Sequence, residues 1–219
     1  MIATKEHTSF NLKTMSTGDG YKLLAATVMP RPIAWITTVD LDGVVNAAPF
    51  SFFNLVCADP PLVAVGFSGA SDRNGKDTLA NIRATGELVV NLVSEELGDA
   101  MNITATNAPR GVDEAALAGL TTATSTQVKP PRIAESPVAL ECTTFQVIEP
   151  GGTGTVLLAR VVQAHVQTDA FINVARLHID PNALRLIGRM HGGGGYCTTR
   201  DLFELERKSW PVEPALKAE

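Results

Sequence analysis

The sequence predicts a mainly β fold with α additions, of the β-barrel type and not a doubly wound sheet. Segments rich in β-branched and aromatic residues recur along the chain, and Gly, Pro or Asp separates them. Only a few short helical patterns interrupt these segments, whereas a doubly wound fold alternates strands with helices. The predicted strands are residues 33–39, 44–53, 62–67, 87–93, 138–148 and 155–166.

Short helices are predicted between these strands. Residues 77–85 begin with Asp and stop at Gly86, residues 94–105 open with Ser-Glu-Glu, which suits a helix start, and residues 112–118 are rich in alanine. A Gly-rich turn at 149–154 joins the last two strands into a long hairpin. Because the 219 residues contain no repeat and no low-complexity linker, we expect a single domain.

Composition excludes several classes of protein. A net charge of −5 disfavours nucleic acid or an anionic membrane as the main partner, although a local basic pocket stays open. The cysteines at 57, 142 and 197 form no Cys-x-x-Cys pair, so neither a disulfide framework, a structural zinc site nor another metal site is expected. The polar start has no apolar signal segment and no stretch is long enough to span a membrane, which predicts a cytoplasmic location.

Residues 31–38 and 46–54 are the most informative part of the sequence. Asp42-Gly43 between them predicts a tight hairpin turn, since both residues tolerate positive φ. Small residues, hydroxyls and aromatics stand where a core hairpin would carry Val, Ile and Leu, and the prolines at 32 and 49 indicate edge or interrupted strands. This pattern predicts a wall for a flat ligand. An irregular hairpin with a polar outer face is the alternative.

Residues 68–79 predict an anion site. They follow a strand and open a helix, whose N-terminus presents free N–H groups and partial positive charge. Arg73 and Lys76 add full charges, and Ser68, Ser71 and Thr78 add hydroxyls, a combination that suits phosphate. The spacing is neither a Walker loop nor a dinucleotide fingerprint. A solvated loop before a capped helix is the alternative.

The glycines at 192–195 indicate a close backbone approach or a mobile segment. Arg189, His191 and Tyr196 flank them, and His191 is a weak candidate for an acid–base group, with hydrogen bonding or stacking as its more ordinary role. No Gly-x-Ser-x-Gly motif indicates a serine hydrolase. Cys57 and Cys142 stand in apolar, strand-like surroundings that favour buried, inert thiols.

Together these motifs resemble the flavin reductase-like, FMN-binding family, which includes flavoredoxins and the reductase components of two-component flavin monooxygenases. The resemblance rests on RPIAWITT at 31–38, the Asp-Gly turn, NAAPFSFFN at 46–54, DPPL at 59–62, KDTLANI at 76–82 and GELVVNL at 86–92. It covers a core of about residues 20–170, and the Gly-rich extension at 171–219 is similar to the tail of longer members.

The resemblance implies a split β-barrel, a homodimer with flavin near the subunit interface, and NAD(P)H-dependent FMN reduction that supplies a partner oxygenase. The reductant would be NADH or NADPH, and FAD could replace FMN. A flavoredoxin-like electron carrier or a non-catalytic FMN-binding module is the alternative. No side-chain acid or base is strictly required, so the catalytic residues stay unassigned, with His191 and Tyr196 as weak candidates. The residues expected around the cofactor are Arg31, Pro32, Ile33, Ala34, Trp35, Thr37, Thr38, Ala48, Pro49, Phe50, Ser51, Asn54, Ser68, Arg73, Lys76, Asp77, Thr78 and Arg189.

Overall fold

Antiparallel strands are the main regular structure of the protein. The computed structural model describes residues 4–68 and 77–210. The strands are β1 (Arg31–Pro32), β2 (Ala34–Val39), β3 (Val45–Phe50), β4 (Phe53–Ala58), β5 (Pro61–Phe67), β6 (Glu87–Asn91), β7 (Thr122–Ala123), β8 (Arg132–Ile133), β9 (Val138–Ile148), β10 (Thr155–Val166), β11 (Phe171–Asn173), β12 (His178–Ile179), β13 (Ile187–Arg189) and β14 (Tyr196–Thr198).

A seven-stranded sheet in the order β3-β2-β6-β9-β10-β5-β4 is the central element, and a three-stranded sheet, β1-β13-β14, lies beside it. The helices are α1 (Thr17–Thr27), α2 (Asp77–Thr85), α3 (Gly98–Ile103), α4 (Glu114–Leu117) and α5 (Pro181–Leu184). Single 3-10 turns occupy Glu95–Leu97, Thr168–Ala170 and Val174–Arg176. Within the described residues, no helix is long and apolar enough to cross a membrane.

The large sheet curls so that alternate side chains of its strands share one core, as a barrel requires. Ile36 of β2, Val65 of β5, Leu88 of β6 and Leu157 of β10 meet there with no exposed surface. Ile82 of α2 packs on the same cluster. The predicted mainly β, split-barrel fold with α additions is therefore confirmed.

The opposite face of β2 has a second core. Ile33 and Trp35 pack there against Met101 of α3 and Ile133 of β8. Because neighbouring residues of a strand point to opposite faces, burial on both faces explains why the whole of β2 is enclosed.

The structure corrects several predicted boundaries. The strand predicted at 44–53 is two strands, β3 and β4, separated at Ser51 and Phe52. The helix predicted at 94–105 is a 3-10 turn followed by α3, and the one at 112–118 shrinks to the single turn of α4. Helix α1 was not predicted, because its apolar residues are few and Tyr21 and Leu24 are half-exposed. Helix 77–85 and strands 138–148 and 155–166 are confirmed.

The predicted two-residue turn at Asp42-Gly43 is wrong. The N–H of Gly43 bonds the carbonyl of Asp40, and the N–H of Asp40 bonds the carbonyl of Val44, which makes a three-residue loop. Only Gly43 has a positive φ, of 86°. A turn followed by glycine in the left-handed region is the common three-residue hairpin connection. The Asp40 carboxylate completes it by accepting from the N–H groups of Asp42 and Val44.

Candidate functional site

A break between β3 and β4 begins the candidate site. At this break the pairing partner changes, because β3 pairs with β2 whereas β4 pairs with β5. The N–H of Gly66 in β5 donates to the carbonyl of Phe52 at 2.6 Å. A Cβ on Gly66 would lie 3.0 Å from the Cβ of Phe52, so glycine permits this close approach. Ser51 lies between the two strands, and its hydroxyl has no hydrogen-bond partner within the described residues.

A cavity of about 240 Å³ opens at Ser51. The predicted wall residues Ile33, Pro49 and Phe50 line it together with Ser51, and Arg189 lines another side. Tyr21 of α1, Met101 and Asn102 of α3, Ala105 and Tyr196 complete the lining. The structure therefore brings part of the predicted wall and part of the predicted Gly-rich tail to one small cavity.

Strand β3 is an end strand of the large sheet, and β1 is an end strand of the small one. Pro49 and Pro32 lie in these two strands, so the prediction that the prolines mark strand edges is confirmed. Ala48 is half-buried in the middle of β3. Pro32 and Asn54 line a second cavity of about 460 Å³ that shares Ser51 with the first.

Arg31 contributes to the 460 Å³ cavity and is only 7% exposed. Its Nη1 donates to the carbonyls of Ala25 and Val28, each at 2.7 Å. These carbonyls belong to the last turn of α1, where a cation also opposes the negative end of the helix. The guanidinium lies 5.8 Å from the centre of the Phe52 ring. Arg31 thus fixes α1 beside the cleft.

The hairpin of β13 and β14 holds Arg189 and Tyr196. These residues pair across the hairpin, and the Arg189 guanidinium lies 4.7 Å from the Tyr196 ring centre, a cation–π contact. The loop between them folds around His191, whose Nδ1 accepts from the N–H of Gly193 at 3.0 Å. A Cβ on Gly195 would lie 2.8 Å from His191 Nε2, so the close-approach prediction for the glycines is confirmed.

Four predicted site residues lie behind the cavity lining. Ala34, Trp35, Thr37 and Thr38 have no exposed surface, and β2 pairs with a strand on each side. The Trp35 indole donates to Thr104 at 2.9 Å. The hydroxyl of Thr37 donates to the carbonyl of Pro131 at 2.6 Å. Burial on both faces of β2 explains why these side chains have internal partners.

The predicted phosphate region lies at the other end of β3. The Thr78 hydroxyl donates to Asn46 Oδ1 at 2.7 Å, and Asp77 forms an ion pair with Arg110 at 2.8 Å. Ser68 is exposed just after β5. Arg73 and Lys76 lie outside the described residues. About 16 Å of extended strand separates Asn46 from Ser51, at roughly 3.3 Å per residue.

Glu114 is the residue near this region that sequence reasoning missed. The preceding residue, Asp113, caps α4 by accepting from the N–H of Ala116. The buried Glu114 carboxylate instead accepts from Asn46 Nδ2 and from the N–H of Ala47. Burial raises its pKa, against the effect of these hydrogen bonds, and nearby Asp77 adds to the rise. Nothing in the sequence pairs Glu114 with β3, because the contact spans 68 residues.

Cys142 is unsuited to nucleophilic chemistry. Cys142 is fully buried, and burial together with the Glu141 charge raises its pKa to about 12, which confirms an inert thiol. The predicted burial of Cys57 is wrong. That residue is half-exposed on β4, and its thiol donates to the carbonyl of Asp59 at 3.2 Å.

The fold and the cleft define a class: a split β-barrel with a polar-lined cavity at the end strand of its main sheet. Residues 26–185 match the family described as flavin reductase like domain, and the chain belongs to this family. A protein of Deinococcus radiodurans is 41% identical over 208 residues, which cover 93% of this chain and 91% of that protein.

Two solved structures are similar over nearly the whole chain. Nitrilotriacetate monooxygenase component B from Bacillus cereus is 34% identical, with a TM-score of 0.86 and coverage of 92% of this chain and 100% of that one. The 2-nitrobenzoate 2-nitroreductase NbaA of Pseudomonas fluorescens is 28% identical, with a TM-score of 0.85 and coverage of 95% and 100%. Family membership supports a flavin cofactor and an oxidoreductase.

Proposed function

We propose that the protein is an NAD(P)H-dependent FMN reductase that supplies reduced flavin or electrons to a partner oxygenase. The flavin ring would occupy the 240 Å³ cavity, and its phosphate chain would follow β3 toward Thr78. The observation that carries this proposal is Ser51, which lies at the break between two strands among Pro49, Phe50 and Arg189. Its hydroxyl has no partner among residues 4–68 and 77–210. The similarity to a monooxygenase component B supports the oxygenase partner.

The residues that line the 240 Å³ cavity suit the binding of a flavin ring. Pro49 and Phe50 offer a small apolar wall, the Ser51 hydroxyl offers a donor, and the Tyr196 ring offers a π-face. Arg189 places a positive charge at the same cavity, where the pairing of β13 and β14 holds it. A ring system with polar edges needs both an apolar face and a few fixed donors, and this lining supplies both.

A bound flavin would supply the redox chemistry, which is hydride acceptance from a nicotinamide. The protein's residues would orient the ring, exclude water and stabilise charge. The Arg189 guanidinium would stabilise negative charge that develops at the cavity. Hydride transfer to a flavin requires no side-chain acid or base, and His191 Nδ1 accepts a hydrogen bond from the N–H of Gly193.

Steady-state oxidation of NADH and NADPH, with FMN or FAD added, tests the proposal. Rapid oxidation that depends on FMN is the expected result, and the absorbance spectrum of the purified protein would show whether flavin is retained. A protein that binds FMN but oxidises neither nucleotide would contradict the reductase proposal and favour an electron carrier or a binding module.

Lys76→Ala is expected to weaken FMN binding by about tenfold and to leave riboflavin binding within about twofold of the wild type. The reason is that a phosphate contact with a cation is charge-assisted, and riboflavin has no phosphate. Flavin fluorescence titrations with both ligands measure the two dissociation constants. Lys22→Ala is the control, because Lys22 lies on the outer side of α1 with an ion pair to Asp19. Equal losses for FMN and riboflavin would refute the phosphate assignment.

We also propose a homodimer. On β4, the other end strand of the main sheet, Leu55 and Val56 are 65% and 53% exposed. An end strand with exposed apolar side chains favours burial against another surface. Light scattering after size-exclusion chromatography should give twice the mass of the chain, and the mass of a single chain at micromolar concentration would contradict the proposal.

A further inference from the structure

A row of three side chains crosses the small sheet. Arg31 of β1 lies directly opposite Arg189 of β13, and Arg189 lies directly opposite Tyr196 of β14. Residues that face each other across antiparallel strands project on the same side of the sheet. The two guanidinium-bearing residues and the tyrosine therefore share one face, the face on which the cavities at Ser51 open.

The two arginines have no counter-ion among the described residues. Like charges directly opposite each other in a sheet repel, and a buried guanidinium without an anion is costly. Arg31 is 7% exposed, and its Nε is buried without a hydrogen-bond partner in this part of the chain. Besides its contact with the Tyr196 ring, Arg189 makes one long hydrogen bond, from Nη2 to the carbonyl of Gly192 at 3.3 Å. An anion with more than one negative charge could serve as counter-ion to both guanidinium groups.

The 460 Å³ cavity lies at the Arg31 end of this row. Phe52, Phe53, Leu24 and Val28 make its lining largely apolar, and the Phe52 ring is 38% exposed. Its volume falls in the range of small-molecule sites. An aromatic ring system could stack on Phe52 there, next to the Arg31 guanidinium. Ser51 lines this cavity and the proposed flavin cavity, so one ligand could extend from one to the other.

We infer that this row and cavity bind the ADP half of the nicotinamide dinucleotide. The diphosphate lies between Arg31 and Arg189, and the adenine occupies the 460 Å³ cavity on Phe52. The inference rests on the proposed function, because the ADP half then directs the nicotinamide toward the cavity at Pro49 and Phe50. The chain would then bind a dinucleotide at a site that lacks the glycine-rich dinucleotide fingerprint.

A diphosphate fits this site better than the other anions available to it. Guanidinium groups bind phosphate oxygens with two parallel hydrogen bonds, and two phosphates match two guanidiniums. A small aromatic carboxylate would satisfy only one of them. The flavin phosphate is expected elsewhere, beside Thr78, which Asn46 holds at the opposite end of β3.

Calorimetric titration of the full-length protein with ADP, adenosine and benzoate tests the inference without flavin turnover. ADP should bind at least tenfold more tightly than adenosine or benzoate. Arg189→Ala should weaken ADP binding at least tenfold. The matched control is Arg83→Ala, which removes an exposed ion pair with Glu149 and should leave ADP affinity within twofold of the wild type. Leu24→Glu is a second variant that keeps the Arg31 bonds to α1 and adds a competing carboxylate to the cavity; it too should weaken ADP tenfold.

Absence of ADP binding at millimolar concentration would overturn the inference, as would ADP binding that Arg189→Ala and Leu24→Glu leave unchanged. Benzoate binding tighter than ADP would assign the cavity to a carboxylate and overturn it as well. If the protein oxidises NADH but ADP neither binds nor competes, the inference fails and the proposed function stands. If ADP binds as expected and no nucleotide is oxidised, the reductase proposal fails separately.

Discussion

Glu141→Gln is expected to lower the free energy of unfolding by about 3 kcal/mol, the loss typical of disrupting a buried charged network. Glu141 of β9 is fully buried, and its carboxylate accepts from the N–H groups of Thr126, Gln127 and Val128. It also accepts from the Thr126 hydroxyl, and its Oε1 lies 2.6 Å from Nε2 of His165. An amide has one acceptor oxygen, and its NH₂ group would face these donors.

Thermal and urea denaturation measure this effect, and a fall in Tm of roughly 6–12 °C is expected for a chain of this size. Glu96→Gln is the matched control, because Glu96 is 70% exposed and pairs with Arg185 on the surface. Its replacement should cost less than about 1 kcal/mol. Equal losses for the two variants would contradict the role assigned to Glu141.

The contribution of Glu141 also depends on pH. Burial by itself raises its pKa, but the hydrogen bonds from Thr126, His165 and Gln127 prevail and lower it from 4.5 to about 2. Since the folded pKa is below the unfolded one, the contribution is present above about pH 4.5 and disappears as pH falls toward 2. The stability difference between the wild type and Glu141→Gln should therefore shrink to about 1 kcal/mol near pH 2.5. A difference that stays constant over this range would refute the assignment.

Gly66→Val should weaken flavin binding by about tenfold or more, because the new side chain displaces Phe52 and with it Ser51. A Cβ at Gly66 already lies 3.0 Å from the Phe52 Cβ, tighter than side chains normally approach. Valine favours strands, so a loss cannot be attributed to β propensity. Flavin fluorescence quenching measures the dissociation constant, and circular dichroism checks the fold.

Gly154→Ala is the control for this variant, since its Cβ would make an ordinary contact of 3.9 Å with the carbonyl oxygen of Phe67. Its flavin affinity should stay within about twofold of the wild type. A folded Gly66→Val protein that binds flavin as tightly as Gly154→Ala would show that the position of Phe52 does not control the cleft.

The elements predicted correctly are those whose ends are marked by residues close by in the sequence. Helix 77–85 has its own start and stop residues, and the long hairpin of β9 and β10 has a glycine-rich turn between two β-branched runs. The break at Ser51 had no such signal, since the Phe-Ser-Phe-Phe sequence reads as continuous strand. It depends on a change of partner from β2 to β5, which is a property of the whole sheet.

In the candidate site, too, the sequence predicted the features with local signals and missed those that depend on the whole sheet. The prolines predicted the strand edges, and the glycines predicted a close approach. The sequence could not tell that β2 is enclosed on both sides, so it treated Trp35, Thr37 and Thr38 like Ser51. It also could not pair Arg31 with Arg189, because that register joins residues 158 positions apart in the chain (189 − 31).

The end position of β3 bears on how the protein limits strand pairing between copies along this edge. An unpaired strand edge ordinarily recruits a strand of another copy through its outward N–H groups. On β3 the outward N–H of Ala47 is bound by the Glu114 carboxylate. Pro49, two residues further and facing the same way, has no N–H to offer. These two positions therefore offer no N–H group to a strand of a second copy. The edge can thus border a small-ligand site while offering fewer donors for strand pairing with another copy.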